Sequence, residues 1–222
     1  MQKRRIMFGD YDTAAVGRWT LTGWTLSAPV VRTNYITVPG RDGDLDVSTT
    51  LTDGEPRYAN RTLTATFECS EGTRLEREAT INTMTNWLDG WRSNIVLPDD
   101  DGHYLTGRIS VVKEYNDPAH AAVTVTANCD PWRYNSEETV ISLTATTAAQ
   151  TALLRNLGRR TVVPTLTISG DGASVNLVAG TASWTLGSGI YQLPDLVLKQ
   201  GGLLIDYSGT GLLQFVYREA VL

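Results

Sequence analysis

The sequence predicts a mainly β protein with an antiparallel, sandwich- or barrel-like N-terminal domain carrying one α-helix, residues 1–135, and a smaller β-sandwich, residues 136–222. Three observations carry this reading. Period-2 alternation dominates the first half, as in "TLTATFEC", where Leu63, Ala65, Phe67 and Cys69 fall on one face and Thr62, Thr64, Thr66 and Glu68 on the other. One segment, 73–90, switches to a helical period. Composition then shifts near "DPWRYNSEE", 130–138: of 24 acids, 18 precede residue 136, and of 19 Lys and Arg, 14 do, which leaves a sparsely charged second half rich in Thr, Gly, Leu and Val.

In chain order, the first distinctive stretch is "VPGRDGDLDVS", 38–48. Its Pro-Gly and Asp-Gly pairs are turn chemistry, so it reads as a loop between two strands. Asp42, Asp44 and Asp46 alternate there and are expected to share one strand face. The strand 62–69 follows. From Thr73 to Gly90, Ile81, Met84, Leu88 and Trp91 step by three and four, an apolar stripe on a helix of about five turns. Thr73 with Glu76 makes a capping box, and Asp89-Gly90 supplies the stop.

A hairpin comes next, "NIVL" and "YLTGRISVV" around the acidic turn Pro98-Asp99-Asp100-Asp101-Gly102, with Leu105, Ile109 and Val111 alternating. The strand "AVTVTANC" ends the domain. Beyond the boundary, "TLTISG", "SVNLVAG", "ASWTLGSG", "DLVLKQGG", "LLIDYSGTG" and "LLQFVYRE" read as short strands separated by glycine turns. The segment 148–158, "AAQTALLRNLG", has helical propensity in a β context and is open between helix and an extended edge.

The formal charge of −5 gives no basic field for nucleic acid, and the basic clusters Lys3-Arg4-Arg5 and Arg159-Arg160 are short. No apolar run approaches the length of a membrane helix and the N-terminus lacks a signal-peptide core, which reads as cytosolic synthesis. Cys69 and Cys129 end alternating runs and read as small buried hydrophobes rather than a disulfide.

Catalytic candidates are few. His103 and His120 sit in turns without a serine motif, and "GSG", 187–189, lacks the strand-to-helix context of a nucleophile elbow. "DDDGH" lacks the spacing of a calcium loop and reads as a solvated turn. The stretches "SGDG", "GSG" and "SGTG" read as turns rather than phosphate cradles. Trp184, Tyr191, Tyr207, Phe215 and Tyr217 are either a sugar-stacking platform or, by preference, core. The residues therefore point to two binding modules without an enzyme, a metal or a cofactor.

The block 28–69, "APVVRTNYITVPGRDGDLDVSTTLTDGEPRYANRTLTATFEC", resembles the N-terminal region of siphophage distal tail proteins. It carries that family's turn at Val38 to Ser48, its Tyr58-Ala59-Asn60-Arg61 segment and its strand with central Phe67. Trp87 near the helix end and Tyr104 after the acidic turn continue the likeness. "NLGRRTVVPTLTISG", "GSGIYQLPDLVL" and "GLLQFVYREAVL" are similar to the family's second, galectin-like β-sandwich.

The resemblance implies a virion protein whose N-terminal domains form a hexameric ring at the distal end of the tail, with a central channel for DNA. The implied partners are further copies of the chain, the tail tube protein, the tape measure protein and tail-tip proteins. It also implies a ring interface including Arg41, Asp42, Asp44, Tyr58, Asn60 and Arg61. No insertion in the second domain marks a receptor-binding arm. A carbohydrate-binding module recognising host wall glycans is the alternative reading.

Overall fold

Alternating side chains with a β-branched or threonine partner favour strands, and strands dominate the computed structural model, which describes residues 5–15, 18–52, 54–98 and 100–222. Lys3, Arg4 and Asp99, which belong to the basic and acidic clusters noted above, lie outside the described residues. The chain divides into two compact units, Met1–Arg133 and Tyr134–Leu222.

In the first unit, strands form at Met7–Phe8 (β1), Tyr11–Asp12 (β2), Thr20–Leu26 (β3), Tyr35–Ile36 (β4), Leu45–Asp46 (β5) and Arg61–Cys69 (β6). After helix Arg74–Leu88 (α1) come Arg92–Val96 (β7), His103–Asn116 (β8) and Ala121–Cys129 (β9). Among the described residues, seven of these strands make one antiparallel sheet in the order β2-β1-β7-β8-β9-β6-β3. Leu63, Ala65, Phe67 and Cys69 are buried, opposite Ala127, Val125, Val123 and Ala121 of β9, as the alternation requires. Both cysteines are free and buried.

Helix α1 lies on this sheet against β8 and β9. The Thr73 hydroxyl accepts from the Glu76 N–H at 3.2 Å and the Glu76 carboxylate accepts from the Thr73 N–H at 2.7 Å, so the capping box is formed. Arg77, Ile81, Met84 and Leu88 are the buried stripe. The helix has 15 residues, about four turns, and Trp91 is not part of its stripe. Asp89 turns the backbone extended at φ −65°, ψ 130°, Gly90 takes φ 78°, and Trp91 is left 66% exposed.

Strand Arg133–Asn135 (β10) runs across the boundary, and the second unit continues with Thr139–Ala145 (β11), Gln150–Leu154 (β12), Thr165–Ala179 (β13), Ala182–Gly187 (β14), Gly189–Gln192 (β15), Leu203–Tyr217 (β16) and Ala220–Val221 (β17). The ambiguous segment 148–158 is thus extended where it is regular, pairing along β16 from Gln150↔Tyr207 to Leu154↔Leu203.

The expected short strands are corrected here: "TLTISG" and "SVNLVAG" are one strand of 15 residues, β13, and "LLIDYSGTG" and "LLQFVYRE" are one strand of 15, β16. Each bends where a turn was expected. The register of β13 on β16 breaks between Ser169 and Ser174, beside Gly170, Gly172, Gly209 and Gly211, all at positive φ.

Shorter strands flank each half of these long ones. β11 pairs the C-terminal half of β16 and β15 the N-terminal half of β13, while β12 and β14 pair the remaining halves. The sheet therefore folds along a glycine line into two four-stranded halves. Their inward residues, among them Leu166, Phe215, Leu177 and Ile205, belong to one core. Close packing at the fold requires glycine: a Cβ on Gly209 would collide with the Ser174 carbonyl, and one on Gly211 would lie 2.9 Å from the Ala173 methyl.

The "NLGRR" stretch is explained within the same unit. Asn156 is fully buried, its amide donates to the Arg160 and Leu198 carbonyls at 2.9 and 3.0 Å, and its oxygen accepts from the Gly158 N–H at 3.0 Å. Gly158 passes too close to Ala220 for a side chain to fit.

Candidate functional site

Between β3 and β6 the chain leaves the sheet and returns as an arm. Its base is fixed at Ser27, whose N–H donates to the Thr62 carbonyl at 2.9 Å and whose hydroxyl accepts from the Thr62 N–H at 2.9 Å. The two limbs are tied by the Val31↔Tyr58 bridge, by the Arg32 N–H to the Arg57 carbonyl at 2.7 Å, and by the Ala59 N–H to the Val30 carbonyl at 2.8 Å. Farther out, β4 and β5 pair as Tyr35↔Asp46 and Ile36↔Leu45.

The turn chemistry of "VPGRDGDLDVS" is realised in this hairpin. Gly40 and Gly43 take φ 82° and 72°, and the Arg41 N–H donates to the Val38 carbonyl at 3.2 Å. Asp44 accepts from the Thr37 hydroxyl at 2.8 Å and Asp46 accepts from the Ser48 N–H at 2.9 Å; the Ser48 side chain and then its N–H hold the Asp46 carboxyl below the usual aspartate range. Only Asp46 of the three alternating aspartates lies in a strand, so the expected shared strand face does not form: the positive-φ glycines 40 and 43 keep residues 37–44 in a loop.

Every residue from 30 to 46 is exposed. That run includes Val30, Val31, Tyr35, Ile36, Val38 and Leu45, with Val30 at 62% and Tyr35 at 57%. Apolar side chains held out in an ordered hairpin, with no core beneath them, mark a surface built to be covered.

The other predicted interface residues stand at the foot of the arm. Tyr58 is half-buried and packs edge-on against Trp132, ring centres 5.5 Å apart. Asn60 is exposed and donates from its amide to the Asn128 side-chain oxygen at 2.9 Å. Arg61 is buried, with its Nε on the Ser27 carbonyl at 2.8 Å, and desolvation together with nearby Arg133 lowers its pKa. It fixes the arm's base from beneath, whereas Arg41, Asp42 and Asp44 are presented at the tip.

A second feature went unread in the sequence. The exposed indoles of Trp87 and Trp91 flank a groove of about 500 Å³ that includes Phe8 and Tyr11. The Tyr11 ring lies 6.4 Å from that of Trp87, and burial pushes the Tyr11 hydroxyl up to about 12. Arg92 and Ile109 also border an adjoining polar hollow with Arg108, Asn60 and Asn128. The signal was the pair of tryptophans four residues apart at a helix end, and the pairing Phe8↔Ile95 that completes the groove is remote in sequence.

Elsewhere, the histidines are tied to aspartates. The His103 Nδ1 lies 2.7 Å from Asp100, which also pairs with Arg133 at 3.2 Å, and the His120 Nδ1 lies 3.5 Å from Asp117. Among the described residues no group of three or more His, Cys, Asp or Glu is placed to hold a metal ion. In the second unit Tyr207, Phe215 and Tyr217 are buried, while Trp184 and Tyr191 pack half-buried against the same core.

The fold of the chain has a counterpart among solved proteins. The crystal structure of SPP1 Dit (gp 19.1), described as a paradigm of the hub adsorption apparatus in phages infecting Gram-positive bacteria, superposes with a TM-score of 0.72 over 98% of this chain and 99% of that one. The chain has the SPP1 Dit fold. Identity to SPP1 Dit is 15%, so the likeness is one of architecture, with little sequence retained. No protein-family model matches the sequence, and no curated protein does.

Proposed function

We propose that the chain is a structural protein of a phage virion, a distal tail hub. In this reading the N-terminal domain, 1–135, associates as a hexameric ring that joins the tail tube to the tail tip and leaves a channel for DNA. The C-terminal domain, 136–222, is a galectin-like sandwich that projects from the ring. The observation that carries the proposal is the SPP1 Dit fold over 98% of the chain. The wholly exposed arm 30–46 supports it, because a ring subunit needs a patch that a different patch of its neighbour covers.

Arg41, Asp42 and Asp44 then lie in the subunit contact, with Tyr58 and Asn60 at its margin and Arg61 holding the arm's base. Contacts of modest strength suffice, since each is repeated around a closed ring. The partners of this reading are further copies of the chain, the tail tube and tape measure proteins and tail-tip proteins. DNA is a transient passenger of the channel. The inward packing of all five aromatic residues considered for sugar stacking favours assembly over a glycan-binding module.

Light scattering and negative-stain imaging of the full chain, alone and with its tail partners, test this. A closed six-fold ring is the expected result. A monomer under all these conditions, retained on a column of host wall glycan, would instead identify a carbohydrate module.

A further inference from the structure

We infer that the arm of one copy docks in the tryptophan groove of a second copy, with its acidic loop seated on Arg108; the inference rests on the ring reading above and names the receiving surface. The groove presents Trp87 and Trp91 at 64% and 66% exposure, at the end of a helix whose other face is buried. Indoles held in this way are characteristic anchors of protein contacts, because they offer large rigid area at little entropic cost.

Two chemistries occur side by side on each surface. On the arm, the apolar run Val30, Val31, Tyr35, Ile36 and Val38 is followed by Asp42, Asp44 and Asp46. On the receiving side, the aromatic groove adjoins the hollow with Arg108 and Asn128, the two sharing Arg92 and Ile109. An apolar segment with an acidic end thus meets an aromatic groove with a basic end.

The charges are complementary in detail. Arg92 and Arg108 face each other directly across β7 and β8, a like-charge pairing that is unfavourable unless anions answer it. Asp130 answers Arg92 at 2.6 Å. Asp89, the carboxylate that lines the hollow, accepts from the Val111 N–H at 2.9 Å. Arg108 donates to the Gly90 carbonyl at 2.6 Å, and among the described residues no carboxylate pairs with it. Asp42, at the arm's tip, likewise has no hydrogen-bonded partner among the described residues, whereas Asp44 and Asp46 are engaged in shaping the loop. Donor and receiver are different patches of one unit, so the contact passes from copy to copy and can close a ring.

The test is a charge exchange between two variants of the full chain, Asp42→Lys and Arg108→Glu. Alone, each places like charges in every contact, and association should weaken about tenfold or more. Mixed in equal amounts, each arm finds an opposite charge on the other variant, and an even-membered ring closes by alternation. Light scattering reads mass, and a thermal melt confirms that both variants fold.

Loss of mass by each variant and its recovery in the mixture uphold the inference, and recovery to a dimer upholds the docking while overturning the ring. Variants that assemble like the unaltered chain, or a mixture that does not recover, overturn the inference and leave the ring reading standing. An unaltered chain that stays monomeric even with its tail partners overturns both.

Discussion

The guanidinium of Arg77, only 2% exposed, donates to the backbone carbonyl of Asp117 at 2.7 Å. It also donates to the carbonyls of Pro118 at 3.2 Å and Gly72 at 2.7 Å, so one helical side chain ties α1 to the β8–β9 connection and to the loop before the helix. Replacing it by methionine keeps the apolar stem but leaves three carbonyls without their donor. The expected loss in the first unit is about 2–4 kcal/mol. Urea unfolding followed by tryptophan fluorescence measures it, since five of the six tryptophans precede the second unit. A change under half a kcal/mol would show that water replaces the guanidinium at no cost.

The glycine line of the second unit predicts a contrast. Gly209→Ala drives a methyl into the Ser174 carbonyl from a backbone at φ 123°, whereas Gly172→Ala at φ 62° meets nothing within 4 Å. The first should cost about 3 kcal/mol or more and the second about 1. Thermal melts of the two variants decide the matter, and equal effects would mean that the bend rests on backbone freedom alone and not on close approach.

Acid should weaken the first unit first. Glu76, Glu78 and Asp117 all have lowered carboxyl pKa values: Glu76 through the Thr73 N–H, Glu78 through Lys113, Asp117 through the His120 N–H. A carboxyl lowered in the folded state adds stability that is full above its unfolded value, about 4, and is lost as pH falls through the folded value. Melting temperature is therefore level near neutrality and declines below about pH 4. Thr73→Ala removes the side-chain half of the capping box and should flatten part of that decline. A decline of the same depth in the variant would separate the capping box from acid sensitivity.

The two thiols should be inert in the native chain. Cys129 is fully buried and desolvation pushes its pKa up to about 11, so at neutral pH almost none is thiolate. Cys69 is 2% exposed. A chromogenic disulfide reagent should titrate no thiol until denaturant is added, and then two. Rapid native labelling would reveal an opening of the β6–β9 core.

What the sequence made legible follows from how local each determinant is. Thr73 and Glu76 are three residues apart, so both the start of the helix and its cap could be read directly. Trp91 continues the same spacing, yet it lies beyond the Asp89-Gly90 stop, where the chain turns extended, so the stop and not the spacing sets the end of the stripe. Glycine at positive φ looks alike in a reverse turn and in a bent strand. Whether Gly209 is one or the other depends on Ser174, its neighbour across β13 and β16. The loop at 38–48 was readable as a loop for the same local reason. Its tryptophan counterpart was not, because Phe8 reaches the groove only through the pairing of β1 with β7.

Arg41 offers the sharpest separation of folding from assembly. It is exposed at the tip of the arm, and among the described residues its side chain makes no hydrogen bond or ion pair, so nothing in the subunit depends on its charge. Arg41→Glu should leave folding stability within about half a kcal/mol. In the ring contact it reverses the one positive charge between Arg32 and Arg57 that the arm presents and sets it against the Asp89 carboxylate that lines the receiving hollow. The change is repeated in every interface, so a modest repulsion per contact is multiplied around the ring. The expected outcome is a normal melting curve with the mass of a monomer or small fragment by light scattering, on the isolated chain or on its complex with tail partners. An unchanged oligomer would place the tip outside the contact and move the search toward the Val30 end of the arm. Loss of melting temperature together with mass would make the loop a folding element of the single subunit.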